Sequence, residues 1–165
     1  MEGLRRCLDF FRVAPEDESG LSFDLLANRL ASSFTLCGFV DEVLSRVASL
    51  NSIPGRKLDH KASLCGMYVR EEVSGREIGR GMVEALLNYG KTRYDSIQLT
   101  AVRTNTRALY LFEAYGYKLY ATQPRSIRRG LEFVDEAYML FSNEHYTTAQ
   151  NNRGAPEADH SWTLT

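Results

Sequence analysis

The spacing of apolar residues changes along the chain, and each change predicts a different element. Residues 2–13 place Leu4, Leu8 and Phe11 at helical spacing, which predicts a short helix. Pro15 and the acidic run Glu16-Asp17-Glu18 break it. Residues 22–31 predict a second helix with Ser22 as its cap. Two β-rich runs follow, 34–40 and 43–50, split by Asp41-Glu42, which predicts a hairpin. Pro54-Gly55 marks a turn, and 62–69 reads as a third strand. The period then switches. From Gly75 to Lys91 the residues Ile78, Met82, Ala85, Leu86 and Tyr89 make one apolar stripe, the mark of an amphipathic helix. Residues 96–102 alternate as a strand. Asn105 or Thr106 caps a further helix carrying Ala108, Leu111, Phe112 and Tyr115, and Gly116 ends it. Residues 118–122 and 133–141 are the last two strands, joined by a loop over 124–130. This order predicts an α/β (α+β) domain with a mixed, mostly antiparallel sheet flanked by helices.

Composition narrows the picture. With 44% apolar and 25% charged residues in 165, the chain can bury one ordinary core. We expect a single domain over 1–142 and a polar, disordered tail over 143–165, where His145 and His160 fall. A net charge of −1 offers no field for nucleic acid. No apolar run reaches membrane-spanning length, and residues 1–11 lack a signal-peptide core, so a cytoplasmic location is expected. Cys7, Cys37 and Cys65 form neither a disulfide framework nor a metal-ligand pattern. Cys37 and Cys65 are expected as small buried apolar residues; a nucleophilic cysteine would need a neighbouring His or cation. No metal site is expected.

The stretch from Met67 to Lys91 carries the candidate chemistry. A strand end, a short polar loop and a helix start led by small residues can form an anion site, because the first helical amides lack partners and the dipole end is positive. Arg76 and Arg80 add charge there. Alone, this pattern also fits an ordinary helix entry.

Over residues 2–142 the chain resembles the GNAT (general-control-related N-acetyltransferase) family, in a bacterial branch of unassigned substrate. Met67-Tyr68-Val69 match the family's strand end, and Gly75, Ile78 and Gly79 match its pyrophosphate loop. Asn105, Ala108, Leu111, Phe112, Gly116 and Tyr117 match a second family segment. The resemblance implies that the strand of Met67, Tyr68 and Val69 splays from its neighbour and pairs with the pantetheine arm of acetyl-CoA. Ser74, Gly75, Arg76, Ile78, Gly79 and Arg80 would hold the pyrophosphate, with Asn105 and Phe112 also against the cofactor. An amine would then attack the thioester directly, helped by proximity and a backbone amide near Met67.

The chain departs from the family pattern in four ways. Ser74 stands where Arg or Gln is usual, and Glu77 where the first glycine is usual. A frame shifted by two, Arg76 with Gly79 and Gly81, also fits the loop motif. In the unshifted frame, a carboxylate about 5 Å from a phosphate costs about 3 kcal/mol at an effective dielectric of about 20, unless Arg76 or Arg80 offsets it or Glu77 turns to solvent. Phe112 replaces a Tyr that protonates the leaving thiolate, leaving Tyr115 or Tyr117 as substitutes. The first hairpin carries Glu42, Arg46 and Ser49 where relatives have glycines. The resemblance implies a first edge strand that the pattern does not show, which a start-site error or a truncated gene would explain equally well; an edge left uncovered would make a homodimer an expected partner.

His60 is a candidate base beside the site, or a surface loop residue. Glu136, with Asp135, could bind an amine, or simply face solvent. The expected function is acetyl transfer to a primary amine of a small molecule or protein. The alternative is a catalytically silent CoA-binding or interaction module of the same fold.

Overall fold

The structure, a computed structural model, describes residues 2–73 and 75–143. Ser74 and the predicted tail over 143–165, apart from Asn143, lie outside the described residues; Asn143 itself is buried and donates to the Lys91 and Tyr94 carbonyls. Six strands form one sheet in the order β1-β2-β3-β4-β6-β5. They are β1 (Ser33–Val40), β2 (Val43–Ser52), β3 (Lys61–Val69), β4 (Ser96–Val102), β5 (Lys118–Arg129) and β6 (Glu132–Ser142). All neighbours are antiparallel except β3 and β4.

The helical stripes behave as their spacing predicts. In α4 (Arg76–Lys91), Met82, Val83, Leu86 and Leu87 are buried against Leu50, Ala62, Leu64, Ile97 and Leu99 in one core. In α5 (Thr106–Ala114), Leu109 and Phe112 join that core, and Asn105 accepts the cap hydrogen bond from Ala108 N–H. Phe34 of β1 stacks flat on Tyr89 of α4, ring centroids 3.5 Å apart, tying the outer strand to the helix. Tyr117 is 2% exposed, wedged between Phe112 and Phe141. Its hydroxyl finds no hydrogen-bond partner among the described residues, and burial pushes its ionisation well above the usual phenol range. An unpaired buried hydroxyl is costly. Tyr117→Phe is therefore expected to stabilise the protein by about 1 kcal/mol, raising Tm by about 2–4 °C in a calorimetric scan.

Three local expectations are corrected. The predicted helix over 2–13 is broken into α1 (Glu2–Arg6) and a 3-10 turn, Leu8–Phe10. The predicted break at Pro15 instead opens a short helix, α2 (Pro15–Ser19), since proline suits a first helical position and acids suit a first turn. The predicted loop 124–130 is mostly strand. β5 runs through Pro124 because it is the sheet edge, and a register shift between Gln123 and Ile127 absorbs the missing donor. Helix α3 (Phe23–Ala31) forms with Ser22 as its cap, yet Phe23, Leu25, Leu26 and Leu30 stay exposed. At the first hairpin, Asp41 and Glu42 both adopt positive φ, the conformation a two-residue turn demands even without glycine. Cys37 is exposed on the edge strand and Cys65 half-buried, so neither is the packed core residue expected.

The opposite sheet face is polar. The Thr35 hydroxyl bonds to Ser33 and Ser49, and Asn51 donates to the Cys65 sulfur. The N-terminal segment lies across this face. Gly3 packs on the Tyr68 ring, Arg6 pairs with Glu72, and at the far side Asp9 pairs with Arg129 and Arg12 with Glu136.

Candidate active site

The parallel pair β3–β4 is joined for only three residues, Lys61↔Ser96, Ala62↔Ile97 and Ser63↔Gln98. Beyond that point each strand keeps its other neighbour. β3 pairs with β2 as far as Val69↔Arg46, and β4 pairs with β6 as far as Val102↔Glu136. A wedge therefore opens between residues 64–69 and 99–102. The cause is local: Gly66 sits at φ +64°, accessible at low cost only to glycine, and the β2–β3 register slips between Val47 and Ser49. An isolated glycine within a strand pattern was the available signal for this bend.

At the wedge mouth the chain leaves β3, makes a 3-10 turn at Glu71–Val73 and enters α4. Gly75 is the N-cap, with no side-chain cap hydrogen bond among the described residues. Nothing lies within 4 Å of where a Gly75 Cβ would stand. The first amides of this sixteen-residue helix lack helical partners and lie at its positive dipole end. Gly79 lies one turn in. A Cβ there would meet Leu111 Cδ2 at 3.4 Å and Met67 Cε at 3.7 Å, so this glycine sits where helix, wedge and α5 converge. The Glu77 side chain is 89% exposed and does not plug the turn; among the described residues it pairs with Arg80 at 3.9 Å.

The structure brings Met67, Tyr68, Val69, Gly75, Ile78, Gly79 and Arg80 to this mouth, along with the backbone of Arg76. Asn105 caps α5, its side-chain oxygen spent on that bond. Phe112 is only 5% exposed and packs edge-on against Tyr117, so it is a core residue rather than a cofactor contact. Tyr115 ends α5, half-buried against the core, and its side chain lies a turn beyond Phe112. His60 stands at the closed end of the wedge, its carbonyl accepting from Asp95 and Ser96. Met67 is seven positions further along the strand, roughly 23 Å at about 3.3 Å per residue, too far for a base acting there.

Glu136 is 2% exposed and fully engaged. Arg12 Nε donates to its Oε1 at 3.2 Å, while Arg12 Nη2 and the Ser126 hydroxyl donate to Oε2. Arg12 also reaches the Tyr138 hydroxyl, which donates to Gln123. Burial pushes the Glu136 carboxyl up, but the bonds from Arg12 and Ser126 outweigh it and hold it below the usual carboxylate range. The charge is thus already paired, and the residue acts as an anchor for the N-terminal segment rather than as an open amine-binding acid. The pairing was invisible in sequence because 124 positions separate the partners. A carboxyl lowered in the folded state adds stability above its unfolded value and loses it as pH falls through the folded one. Glu136→Gln is expected to cost about 1–3 kcal/mol at pH 7, the gap to the parent closing toward pH 3 in urea titrations.

Cys65 lies where the wedge begins, but burial raises its thiol above the ordinary value despite the Asn51 bond, so it is no ready thiolate. Among the described residues no group of side chains could hold a metal ion, and no helix is long and apolar enough to cross a membrane.

The site is a sheet split at a parallel pair with a helix N-terminus at its mouth. A family model described as the acetyltransferase (GNAT) family matches residues 4–117, and the chain belongs to that family. Solved structures share the fold. A GNAT-family acetyltransferase from Streptococcus pneumoniae superposes with TM-score 0.70 at 17% identity, covering 81% of this chain and 83% of that one. The putative acetyltransferase YncA of Salmonella typhimurium, solved with its cofactor acetyl-CoA, gives 0.68 at 16% identity over 86% and 81%. A phosphinothricin acetyltransferase of Sinorhizobium meliloti, in complex with acetyl-CoA, gives 0.67 at 15% identity over 86% and 83%. No curated protein sequence matches the chain.

Proposed function

We propose that this protein transfers an acetyl group from acetyl-CoA to a primary amine of a small molecule or protein. The observation that carries the reading is the wedge opening directly onto the glycine-capped N-terminus of α4. The residues fit the cofactor. The edge of β3 from Cys65 to Val69 faces the wedge without a strand partner there, which suits an extended amide-bearing arm. The amides from Gly75 to Arg80 suit a diphosphate, and Gly79 leaves the helix backbone approachable.

Bound there, acetyl-CoA supplies an activated acetyl thioester for direct attack by the amine. The residues of the chain contribute position. The Met67 backbone lies inside the wedge to orient the acyl end, and the apolar Met67, Leu111 and Leu99 exclude water. His60 stands at the closed end of the wedge, Phe112 has no proton to give and Glu136 is already paired, and proximity alone can supply about 7–11 kcal/mol.

Free-thiol release with acetyl-CoA and a panel of amines tests this. Thiol release that depends on one class of amine supports it. The paired Glu136 and buried Phe112 favour a second reading, a silent CoA-binding module. Acetyl-CoA binding with no thiol release across the panel would decide for that reading.

A further inference from the structure

The N-terminal segment is fixed on both sides of the wedge. On the β3 side, Gly3 lies so close to the Tyr68 ring that a Cβ there would fall 2.9 Å from Tyr68 Cγ, and Arg6 pairs with Glu72 at 2.6 Å. The 3-10 turn Leu8–Phe10 then passes alongside β4. On the far side, Arg129 holds the Asp9 carboxylate at 3.1 Å and donates to the Asp9 carbonyl at 2.6 Å, and Arg12 reaches Glu136. Glu136 is paired with Val102, the last residue of β4, so this anchor stands one strand behind the other lip of the wedge. Glu136 and Tyr138 alternate along β6 with Ala137 and Met139, which pack in the α4 core. Residues 3–12 therefore run from lip to lip over the face opposite α4.

The far anchor is held by more than one pair of charges. Glu136 is buried, and a buried carboxylate left without a cation is costly. β5 changes register between Gln123 and Ile127, with Arg125 at φ +53°, a strained conformation for a residue with a side chain. Arg125 N–H donates to Asp135, and on the next residue the Ser126 hydroxyl donates to Glu136 Oε2. Tyr138 accepts from Arg12 and donates to Gln123. A distorted strand, a buried acid and three further polar side chains thus surround one residue of the N-terminal segment.

We infer that Arg12 is a positioning residue for the acyl half of acetyl-CoA: latched to Glu136, it holds residues 3–12 across the wedge as a wall over the pantetheine arm. The inference rests on the proposed acetyl-CoA site. The α4 amides that suit the diphosphate are no part of the latch. Releasing the strap therefore uncovers the arm and leaves the phosphate contacts in place.

The test is isothermal titration of the full chain with acetyl-CoA and, separately, with 3′-phospho-ADP, which carries the phosphates without the arm. A wall covering about 50 Å² of apolar arm surface is worth about 10-fold in affinity. Arg12→Met therefore weakens acetyl-CoA about 10-fold and leaves 3′-phospho-ADP within about 2-fold of the parent. Arg12→Lys, which keeps the cation, stays within about 3-fold for both ligands. Arg12→Met combined with Glu136→Gln leaves no unpaired buried charge, so the fold is spared, yet the latch is still absent and the selective loss persists. Equal weakening of both ligands, or no weakening of acetyl-CoA, overturns the inference. So does recovery of acetyl-CoA affinity in the double variant, since the damage would then come from the stranded Glu136 charge and not from the open strap. If the parent protein binds neither ligand at millimolar concentration, the proposed function itself falls and this inference with it.

Discussion

Gly79→Val abolishes acetyl-CoA binding while leaving the protein folded. A Cβ at this position already stands 3.4 Å from Leu111 Cδ2, tighter than comfortable contact. The two methyls of valine must push Leu111 and Met67 apart or turn over the first amides of α4. Either movement occupies the space where the helix backbone has to come within hydrogen-bond reach of a diphosphate. We expect affinity to fall at least about 100-fold by isothermal titration, equivalent to about 2.7 kcal/mol. Stability should move by no more than about 1 kcal/mol, since valine gains helix propensity over glycine while adding strain. Gly81→Ala is the matched control. Open space surrounds that position, so affinity should hold and stability rise by about 1 kcal/mol. This contrast also separates the two sequence frames for the loop, because the shifted frame makes Gly81 a motif residue.

Leu86→Ala carries the largest expected loss of stability. Leu86 is 0% exposed at the middle of α4 and belongs to the cluster that joins the helix to β2, β3 and β4. Truncation removes about three buried carbons and leaves a cavity that the surrounding leucines fill only partly. The cost should be about 2–5 kcal/mol in urea unfolding, lowering Tm by roughly 10 °C. Leu86 does not touch the mouth, so saturating acetyl-CoA should lift the Tm of the variant and of the parent alike through binding to the native state. A variant that regains no Tm with acetyl-CoA would place Leu86 in the site itself.

The parts of this fold that the sequence makes legible are those governed by local period. The α4 stripe, the Asn105 cap, the Ser22 cap and the first three strands each follow from neighbours within a few residues. Errors arise where distant contacts decide. Pro124 reads as a strand breaker, yet an edge strand with a register shift accommodates it. Leu4, Leu8 and Phe11 share a helical spacing, yet the segment turns after Arg6 to cross the sheet, with Arg12 meeting Glu136. The candidate site divides in the same way. Met67 to Val69 and Gly75 to Gly79 are visible as a strand end and a helix start. The roles of Glu136 and His60 depend on which residues the sheet brings alongside them. Composition and spacing carry no record of that.

The direct test of the account is backbone amide mapping by nuclear magnetic resonance during titration with acetyl-CoA. The helix-entry amides from Gly75 to Arg80 and those of Met67 to Val69 should shift together and saturate at one common concentration. If those two segments stay still at millimolar acetyl-CoA, the gap between the parallel strands is not a cofactor berth, and the chain keeps the family's architecture without its ligand.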